Sequence, residues 1–422
     1  MPSRTTSPAT AATRAATARR ATRRPAGRSS AKASSTRTMQ AVRFRRPKSV
    51  TVADVPQPEL QESSDVILKV TSTAICGSDL HIYNGLLPQL RPMTIGHEFM
   101  GEVVEAGSRV RNLRVGDRVV VPFPISCGSC FYCGIGEVTS CSESNPNWGP
   151  EGGLLKEKAA ALFGYTDLYG GYDGGQAEYV RVPYADFGPR IVRDDMRDDE
   201  VLFLTDIFPT GYIATDWAKV GPDDTVAIFG AGPVGIMAAK SANLKGAREV
   251  ILVDPLAYRL DIAERAADVT TVDSTRGEAV ERIRELTQGR GADVVIDAVG
   301  MEADRNVLEK ASAVAHGQRG TMKVLRDCFS AARRGGRVSI VGVYGTPYDN
   351  FPLHQFFDKG LKMYAGQVQV QSHIDHLQTL VERGEVRLDD IITHQMPLED
   401  APKAYKMFSQ KKDDCLKVVL RP

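Results

Sequence analysis

The sequence predicts an α/β protein in which a parallel, doubly wound sheet is inserted between two parts of a β-rich domain. Two observations predict it. Between residues 225 and 341, short apolar runs alternate with stretches of helical length, as they do in βαβ units. On either side of this region, the apolar runs are short and are separated by Gly and Pro turns, which is typical of β-rich domains.

The inserted domain is predicted to be a nucleotide-binding domain over residues 209–365. Its first helix is expected near 209–220. Because each later helix follows a strand, the pattern favours parallel strands with helical crossovers. The predicted strands span 225–229, 249–253, 293–296 and 337–341, and the predicted helices span 234–244, 257–267, 278–286 and 323–333.

The β-rich domain is predicted over residues 39–208, and residues 366–422 are expected to return to it. A Gly-, Tyr- and Asn-rich loop is expected at 145–175, and no internal repeat is found. The strands predicted in these two parts span 39–44, 66–70, 99–105, 118–121 and 416–420.

Residues 1–38 form a basic leader with eight Arg, one Lys and no acidic residue. It is too polar to build a core, so we expect a disordered tail. An organelle-targeting segment and an upstream start before Met39 are the alternatives, and a tail or a misplaced start is favoured. Since the whole chain carries +1, the remainder carries −8, which gives no sign of nucleic-acid binding. No apolar run is long enough to cross a bilayer, so no membrane span is expected.

Four closely spaced cysteines indicate a structural zinc site. Cys127, Cys130, Cys133 and Cys141 follow the spacing C-x2-C-x2-C-x7-C, and four thiolates can close a tetrahedral site around Zn²⁺. Buried or disulfide-bonded cysteines are the alternative. The other three cysteines lie far apart, which favours a reducing, cytoplasmic location over a disulfide framework. We therefore predict a zinc lobe over residues 123–145.

A glycine fingerprint of the form G-x-G-x-x-G lies between the strand at 225–229 and the helix at 234–244. In that context it predicts a dinucleotide site, with phosphates at the helix N-terminus. Its candidate cofactor contacts are Gly230, Gly232, Pro233, Val234 and Gly235.

Asp254 ends the next predicted strand, at the distance from the fingerprint where dinucleotide-binding folds place an acidic residue. A carboxylate there can bind both ribose hydroxyls and would repel a 2′-phosphate, so NAD is favoured over NADP. A simple turn residue before Pro255 is the alternative. Arg259 either reaches the adenosine side of the cofactor or is a solvated helix charge.

Cys76, His97 and Asp206 are candidates for a second metal site. Singly, each could have an ordinary structural role, such as a buried thiol or a core histidine. Together they offer three protein ligands and leave one position open, as a catalytic zinc site requires. Zinc with these three ligands would be neutral overall.

From Met39 onward the chain resembles the zinc-dependent medium-chain alcohol dehydrogenase family. The similarity rests on the cluster Cys76-Gly-Ser78-Asp79-Leu-His81, the motif Gly96-His97-Glu98, the four cysteines, the glycine fingerprint and the run from Gly335 to Gly342. The resemblance implies a GroES-like catalytic domain and a Rossmann domain. Residues 205–212, 174–186 and 366–369 are most similar to the glutathione-independent formaldehyde dehydrogenase-like branch.

The resemblance also implies functional roles. Cys76, His97 and Asp206 hold the catalytic zinc, with Glu98 beside it as a partner or transient ligand. Ser78 takes the proton of the substrate hydroxyl and passes it, through the nicotinamide ribose, toward His81 at the surface. Val343, next to the Gly335–Gly342 run, is a further candidate cofactor contact. The family further implies a homodimer or homotetramer formed through the nucleotide-binding domain.

The expected function is therefore zinc-dependent oxidation of a small alcohol or hydrated aldehyde, formaldehyde among them, by NAD. Ser78 as a simple helix cap remains the structural alternative for that residue. A dehydrogenase of a larger alcohol, polyol or amino alcohol, with residues 145–175 and 302–320 shaping its pocket, is the main alternative function. A catalytically silent NAD-binding relative and DNA binding through the basic leader are the alternatives from other classes.

Overall fold

The computed structural model describes residues 37–89, 91–147, 159–302, 321–345 and 351–422. The predictions for residues 1–36 of the basic leader, for residues 148–158 of the long loop and for residues 303–320 lie outside the described residues. Thr38, predicted as the last residue of the leader, begins a strand. Within the ranges described, no helix is long and apolar enough to cross a membrane.

The strands, numbered in chain order, are β1 (Thr38–Arg46), β2 (Ser49–Pro56), β3 (Val66–Ile75), β4 (Met93–Thr94), β5 (Glu98–Ala106), β6 (Arg118–Val121), β7 (Pro124–Ile125), β8 (Ala161–Leu162), β9 (Tyr179–Val182), β10 (Arg190–Ile191), β11 (Thr225–Phe229), β12 (Glu249–Asp254), β13 (Thr270–Asp273), β14 (Ala292–Asp297), β15 (Ala332–Ile340), β16 (Lys362–Ala365), β17 (His394–Pro397) and β18 (Val418–Arg421). The α-helices are α1 (Gly77–Tyr83), α2 (Phe131–Gly134), α3 (Asp198–Val201), α4 (Ile207–Trp217), α5 (Pro233–Leu244), α6 (Ala257–Ala266), α7 (Ala279–Leu286), α8 (Lys323–Ala331), α9 (Leu353–Asp358), α10 (Val370–Glu382) and α11 (Ala401–Ser409).

The inserted domain contains a parallel six-stranded sheet with the order β13-β12-β11-β14-β15-β16. Renumbered within the domain, this order is 3-2-1-4-5-6, the doubly wound arrangement of Rossmann folds. The central strand β11 is buried along its whole length. Val226 and Ile228 pack into one hydrophobic cluster and Ala227 and Phe229 into another, because successive side chains of a strand point to opposite faces.

Two strands of this sheet are not predicted from the sequence, and each has a physical reason. The strand β13 has the polar sequence TTVD with only Val272 buried, so it lacks an apolar run. The strand β16 is exposed at all four positions, since it lies at the edge of the sheet. The strand β15 begins at Ala332, earlier than predicted, because Gly335 and Gly336 are accommodated inside it.

The β-rich part is built around a seven-stranded sheet with the order β10-β6-β5-β3-β18-β17, in which β9 also pairs with β3. The strands β17 and β18 lie near the C-terminus of the chain and pair beside β3. The C-terminal segment therefore joins the same sheet as the N-terminal strands. The domain boundaries at residues 208 and 365 stay a prediction.

Candidate active site and metal centres

Three neighbouring strands bring Cys76, His97 and Lys417 to one end of the β-rich sheet, and Asp206 lies at the start of α4. Cys76 follows β3 directly, His97 precedes β5, and Lys417 precedes β18. The register sets Ala74 opposite Glu98 and Ile75 opposite Val418. Residues far apart in sequence therefore meet at this end.

A four-residue metal-ligand cluster forms there. One donor atom each from Cys76, His97, Glu98 and Asp206 lies within 4.8 Å of all the others, and the four residues are buried. Asp206 Oδ2 is 3.3 Å from Cys76 Sγ and 3.3 Å from His97 Nε2. The three ligands predicted from sequence are thus brought together.

The cluster is held in place by a buried polar network. His97 Nδ1 lies 3.0 Å from Asp79 Oδ1, which orients Nε2 toward Asp206. The backbone N–H of Cys76 donates to Asp79 Oδ2 at 2.9 Å, and Gln176 Nε2 donates to the same oxygen at 3.2 Å. Thr210 Oγ1 donates to Asp206 Oδ1 at 2.9 Å. Such outer partners fix the rotamers of metal ligands.

The electrostatics of the cluster favour a cation. Burial, followed by the charges of Asp206 and Glu98, raises the pKa of the Cys76 thiol to about 12. Burial opposes ionisation of Asp206, but its hydrogen bond with His97 lowers the pKa of that carboxyl. Burial also opposes the charged form of His97, yet Asp79, Cys76 and Asp206 outweigh it and raise the pKa of the ring well above its usual range.

Glu98 forms a fully buried ion pair that the sequence does not predict. Its Oε1 accepts from Lys417 Nζ at 2.6 Å, and both side chains are 0% exposed. Lys417 Nζ also donates to the carbonyl of Ile75 at 3.1 Å. Burial raises the pKa of Glu98, although Lys417 partly offsets it. The other oxygen, Oε2, is buried and has no hydrogen-bond partner among the described residues.

These residues fit a zinc ion. A thiol, an imidazole and a carboxylate are ligands that Zn²⁺ prefers, and three protein ligands leave a position for substrate. The unpartnered Glu98 Oε2 supplies a further oxygen within the same cluster. A divalent cation would also lower the pKa of the buried thiol, since a coordinating thiol loses its proton.

The four clustered cysteines form a second candidate centre, and their sulfurs all lie within 4.8 Å of one another. The distances Cys127 Sγ–Cys133 Sγ and Cys130 Sγ–Cys141 Sγ are both 3.9 Å. Zn–S bonds of roughly 2.3 Å at tetrahedral angles correspond to sulfur separations of about 3.8 Å. All four thiols are free, so disulfide pairing is not what brings them together.

Backbone donors point at these sulfurs. The N–H groups of Ser129 and Cys130 donate to Cys127 Sγ at 3.4 and 3.3 Å. Burial opposes ionisation of Cys130, but the N–H groups of Cys133 and Ser142 lower the pKa of its thiol to about 6. The lobe therefore stabilises the thiolate of Cys130, the form that binds metal, whereas burial raises the pKa of the Cys133 and Cys141 thiols.

One cleft of about 990 Å³ connects the catalytic cluster with the glycine fingerprint. Its wall includes Cys76, Ser78 and His81 at one end, and it includes Asp254 and Arg259 at the other. The remaining predicted cofactor contacts that line it are Gly230, Gly232, Pro233, Val234 and Val343. Gly235 is the exception and lies beneath the cleft.

At two positions of the fingerprint, the backbone leaves no room or no favourable conformation for a residue with a side chain. Gly230 has φ = +102°, where a side chain would be strained. A Cβ on Gly235 would overlap the carbonyl oxygen of Gly230, so only glycine lets α5 approach the loop. Phosphates bound at the N-terminus of α5 would face unpaired backbone N–H groups.

Asp254 and Arg259 lie together at the far end of the cleft. Asp254 accepts from the N–H of Ala231 and from that of Leu256, each at 2.9 Å. Arg259 Nη1 lies 3.6 Å from Asp254 Oδ2, and its side chain is 16% exposed. Arg259 therefore lines the cleft and is largely removed from solvent.

Ser78 and His81 lie on α1, which follows β3 directly. Ser78 Oγ is 3.6 Å from Cys76 Sγ, next to the cluster. The expectation that His81 lies at the surface is wrong, because the residue is 5% exposed. The side chain of His81 lines the cleft, as does that of Ser78.

Comparison with known proteins shows which families and relatives this chain is similar to. Residues 62–190 match the family model of the alcohol dehydrogenase GroES-like domain, and residues 233–322 match that of zinc-binding dehydrogenases. An uncharacterised zinc-type alcohol dehydrogenase-like protein, AdhB of Bacillus subtilis, is 42% identical over 91% of this chain and 100% of its own length. A glutathione-independent formaldehyde dehydrogenase of Pseudomonas aeruginosa is 34% identical over 87% of this chain and 94% of its own.

The alcohol dehydrogenase TADH from Thermus sp. ATN1 superimposes with a TM-score of 0.78 at 33% identity, covering 91% of this chain and 99% of that one. Fold and metal cluster define a zinc-type oxidoreductase with a GroES-like and a Rossmann-like domain. The chain belongs to the zinc-dependent medium-chain alcohol dehydrogenase family. The predicted fold class and family are confirmed.

Proposed function

We propose that the protein is an NAD-dependent zinc dehydrogenase that oxidises a small alcohol or a hydrated aldehyde, with formaldehyde hydrate among its substrates. One observation carries the proposal. The buried cluster of Cys76, His97 and Asp206 borders, through Cys76, the cleft that runs to the glycine fingerprint. A carbon atom held at the cluster would thus face a dinucleotide held along the cleft.

Cys76, His97 and Asp206 would hold the catalytic zinc, and the four cysteines would hold a second, structural zinc. When bound, the catalytic zinc supplies Lewis acidity toward a substrate hydroxyl and NAD supplies the hydride acceptor. The chain's own part is to orient the substrate and to exclude water. The cleft walls do this with apolar side chains that include Leu86, Ile207 and Met301.

Ser78 is proposed to take the proton of the substrate hydroxyl. Its Oγ lies 3.6 Å from Cys76 Sγ, so a hydroxyl bound beside the thiol is within reach. His81 lies three residues later on the same helix and lines the same cleft. It is proposed to carry the proton onward, since an imidazole exchanges protons near neutral pH.

NAD is proposed over NADP because Asp254 lies at the end of β12, beside the fingerprint loop. Its carboxylate can accept hydrogen bonds from the ribose hydroxyls and would repel a 2′-phosphate. Arg259 opposes this preference, because it is a cation in the same region. The ion pair with Asp254 at 3.6 Å partly neutralises it.

A homodimer or homotetramer is proposed, formed through the Rossmann-like domain. All four residues of β16 are exposed, and its outer edge pairs with no strand of the described chain. Leu353 and Phe357 on the adjacent helix α9 are 62% and 80% exposed. An open strand edge with apolar neighbours is commonly covered by another subunit. A cytoplasmic location likewise stays a prediction from cysteine usage.

The variant Asp206→Ala tests the proposal. It should lose the catalytic zinc and the activity while keeping the zinc of the cysteine lobe, because Asp206 contributes only to the first centre. The zinc content found by metal analysis should therefore fall from two ions to one per chain. Activity is measured as NAD reduction with formaldehyde, ethanol, benzyl alcohol, sorbitol and threonine, with and without glutathione.

Two zinc ions in Asp206→Ala with normal turnover would contradict the ligand assignment. If the wild type oxidised only sorbitol or threonine, the result would favour a dehydrogenase of larger polyols or amino alcohols. A wild type that binds NAD but oxidises none of the compounds would favour a catalytically silent relative.

A further inference from the structure

Tyr165 is a buried side chain beside the catalytic cluster to which the proposed mechanism assigns no role. Its ring lies edge-on to the ring of His97, with centroids 6.0 Å apart and an angle of 80°. Phe123 contacts the same imidazole, also at 6.0 Å. Two aromatic rings therefore wall the metal ligand, and one of them carries a hydroxyl.

Within the part of the chain that the structure describes, the hydroxyl of Tyr165 lacks the kind of partner that two other tyrosines have. Tyr165 is 4% exposed, and its Oη is buried with no hydrogen-bond partner among the described residues. By contrast, Tyr405 Oη donates to Gln176 at 2.8 Å and Tyr172 Oη donates to the carbonyl of Ser144 at 3.1 Å. A buried hydroxyl without a partner is unfavourable, and such exceptions occur where a ligand supplies the partner.

The hydroxyl of Tyr165 is a potential hydrogen-bond donor. Burial raises the pKa of Tyr165 well above its ordinary value, and the charges of Tyr169, Cys76 and Asp79 raise it further. A tyrosine hydroxyl without a partner of its own can donate a hydrogen bond to a ligand. The ring contact with His97 places Tyr165 beside a metal ligand.

The ring of Tyr165 is held in place by a second tyrosine. Tyr169 packs against Tyr165 with centroids 5.6 Å apart, and Gln367 hydrogen-bonds Tyr169. The carbonyl of Gln367 accepts from Thr139 Oγ1 at 3.3 Å, which ties this wall to the cysteine lobe. A rigid hydroxyl can discriminate between substrates that differ by one oxygen.

We propose that Tyr165 is a specificity-determining residue whose hydroxyl hydrogen-bonds the second oxygen of a hydrated aldehyde. The inference rests on the proposed function. An aldehyde hydrate, RCH(OH)₂, carries two hydroxyls on the reacting carbon. One is the hydroxyl that is oxidised, and the other must be desolvated beside His97, where Tyr165 offers it a partner.

The reaction balances with the nicotinamide cofactor already proposed. The C–H bond breaks, and its electron pair moves to the nicotinamide ring as hydride. One hydroxyl proton leaves, a C=O bond forms, and the product is the carboxylic acid. A simple primary alcohol has no second oxygen on that carbon, so its oxidation does not use Tyr165.

The test compares Tyr165→Phe with the wild type on formaldehyde and on ethanol, using the zinc-loaded protein with NAD. The kcat/KM for formaldehyde should fall at least about fivefold, since this is the smallest factor expected when a desolvated group loses its hydrogen bond. The value for ethanol should change by less than about threefold. The matched control is Tyr172→Phe, which removes a hydroxyl that donates to the backbone carbonyl of Ser144 and should leave the ratio unchanged.

Thermal unfolding separates the specificity role from a structural one. Tyr165→Phe should not lower the Tm, because the lost hydroxyl has no partner, whereas Tyr172→Phe should lower it. Equal losses on both substrates, no loss on either, or a wild type active only on ethanol would overturn the assignment of Tyr165. A wild type that oxidises neither compound would instead refute the proposed function, and the inference with it.

Discussion

The buried pair of Lys417 and Glu98 gives the sharpest prediction for stability, tested by Lys417→Met. Methionine has nearly the same length as lysine without the charge, so the cavity stays filled. The variant removes the 2.6 Å contact to Glu98 Oε1 and the 3.1 Å hydrogen bond to the carbonyl of Ile75. Glu98 is 0% exposed, so its Oε1 would be left without the ammonium group that pairs with it and without water.

Removing one partner of a buried ion pair destabilises a protein by about 3–5 kcal/mol. We place Lys417→Met within this range because both partners are fully buried and the geometry is good. At roughly 2 °C per kcal/mol for a large chain, the Tm should fall by about 6–10 °C. The pKa of Glu98 should rise further, because Lys417 is the largest of the influences that lower it.

The assay is urea unfolding of the zinc-loaded protein at neutral pH, followed by circular dichroism. A double-mutant cycle with Glu98→Gln isolates the pair, and the double variant should be more stable than the sum of the singles predicts, by at least about 1 kcal/mol. The control is Lys323→Met, which breaks the ion pair with Asp327, whose side chains are 60% and 33% exposed. It should lose no more than about 0.5 kcal/mol.

The reasoning is refuted if Lys417→Met loses less than about 1 kcal/mol, the scale of an exposed pair. An additive double-mutant cycle would refute it equally, because the two charges would then not interact. Metal content is measured alongside, so that a loss of zinc is not mistaken for the loss of the ion pair.

Two further predictions concern the cofactor and the assembly. Asp254→Gly should allow NADP to bind, because the carboxylate that repels a 2′-phosphate is removed and Arg259 is free to pair with that phosphate. An unchanged preference for NAD in steady-state kinetics would count against the role of Asp254. Phe357→Asp should lower the mass found by light scattering, because an exposed apolar side chain at the proposed interface becomes charged. A wild type that already has the mass of one chain would rule out that interface.

Much of the site was predictable because its chemistry demands rare residue types. Four cysteines at short spacing, or a glycine fingerprint between a strand and a helix, seldom occur without a metal or a dinucleotide to bind. Cys76, His97 and Asp206 were found for the same reason, although a resemblance to known enzymes was needed to join them. The fold class followed from the alternation of apolar runs and helices over residues 225–341.

What escaped prediction depends on contacts between distant residues. Lys417 is 319 residues from Glu98, and in sequence it is one charge within an apolar strand. That charge was the available signal, because a lysine inside an otherwise buried run needs a buried partner. Tyr165 gave no such signal, since its role depends on the partner its hydroxyl lacks. The burial of His81 likewise depends on packing that α1 alone does not reveal.

The position of β18 between β3 and β17 has a consequence for how the protein is made. At roughly 5–20 residues per second, the ribosome needs about 15–60 s to deliver Lys417 after Glu98. During this interval the whole Rossmann-like domain emerges. The edge of β3 that later pairs with β18 is still unpaired, and Glu98 still lacks the charge of Lys417. We expect the nascent N-terminal part to depend on chaperones over this period, whereas the inserted domain can fold as soon as it has emerged.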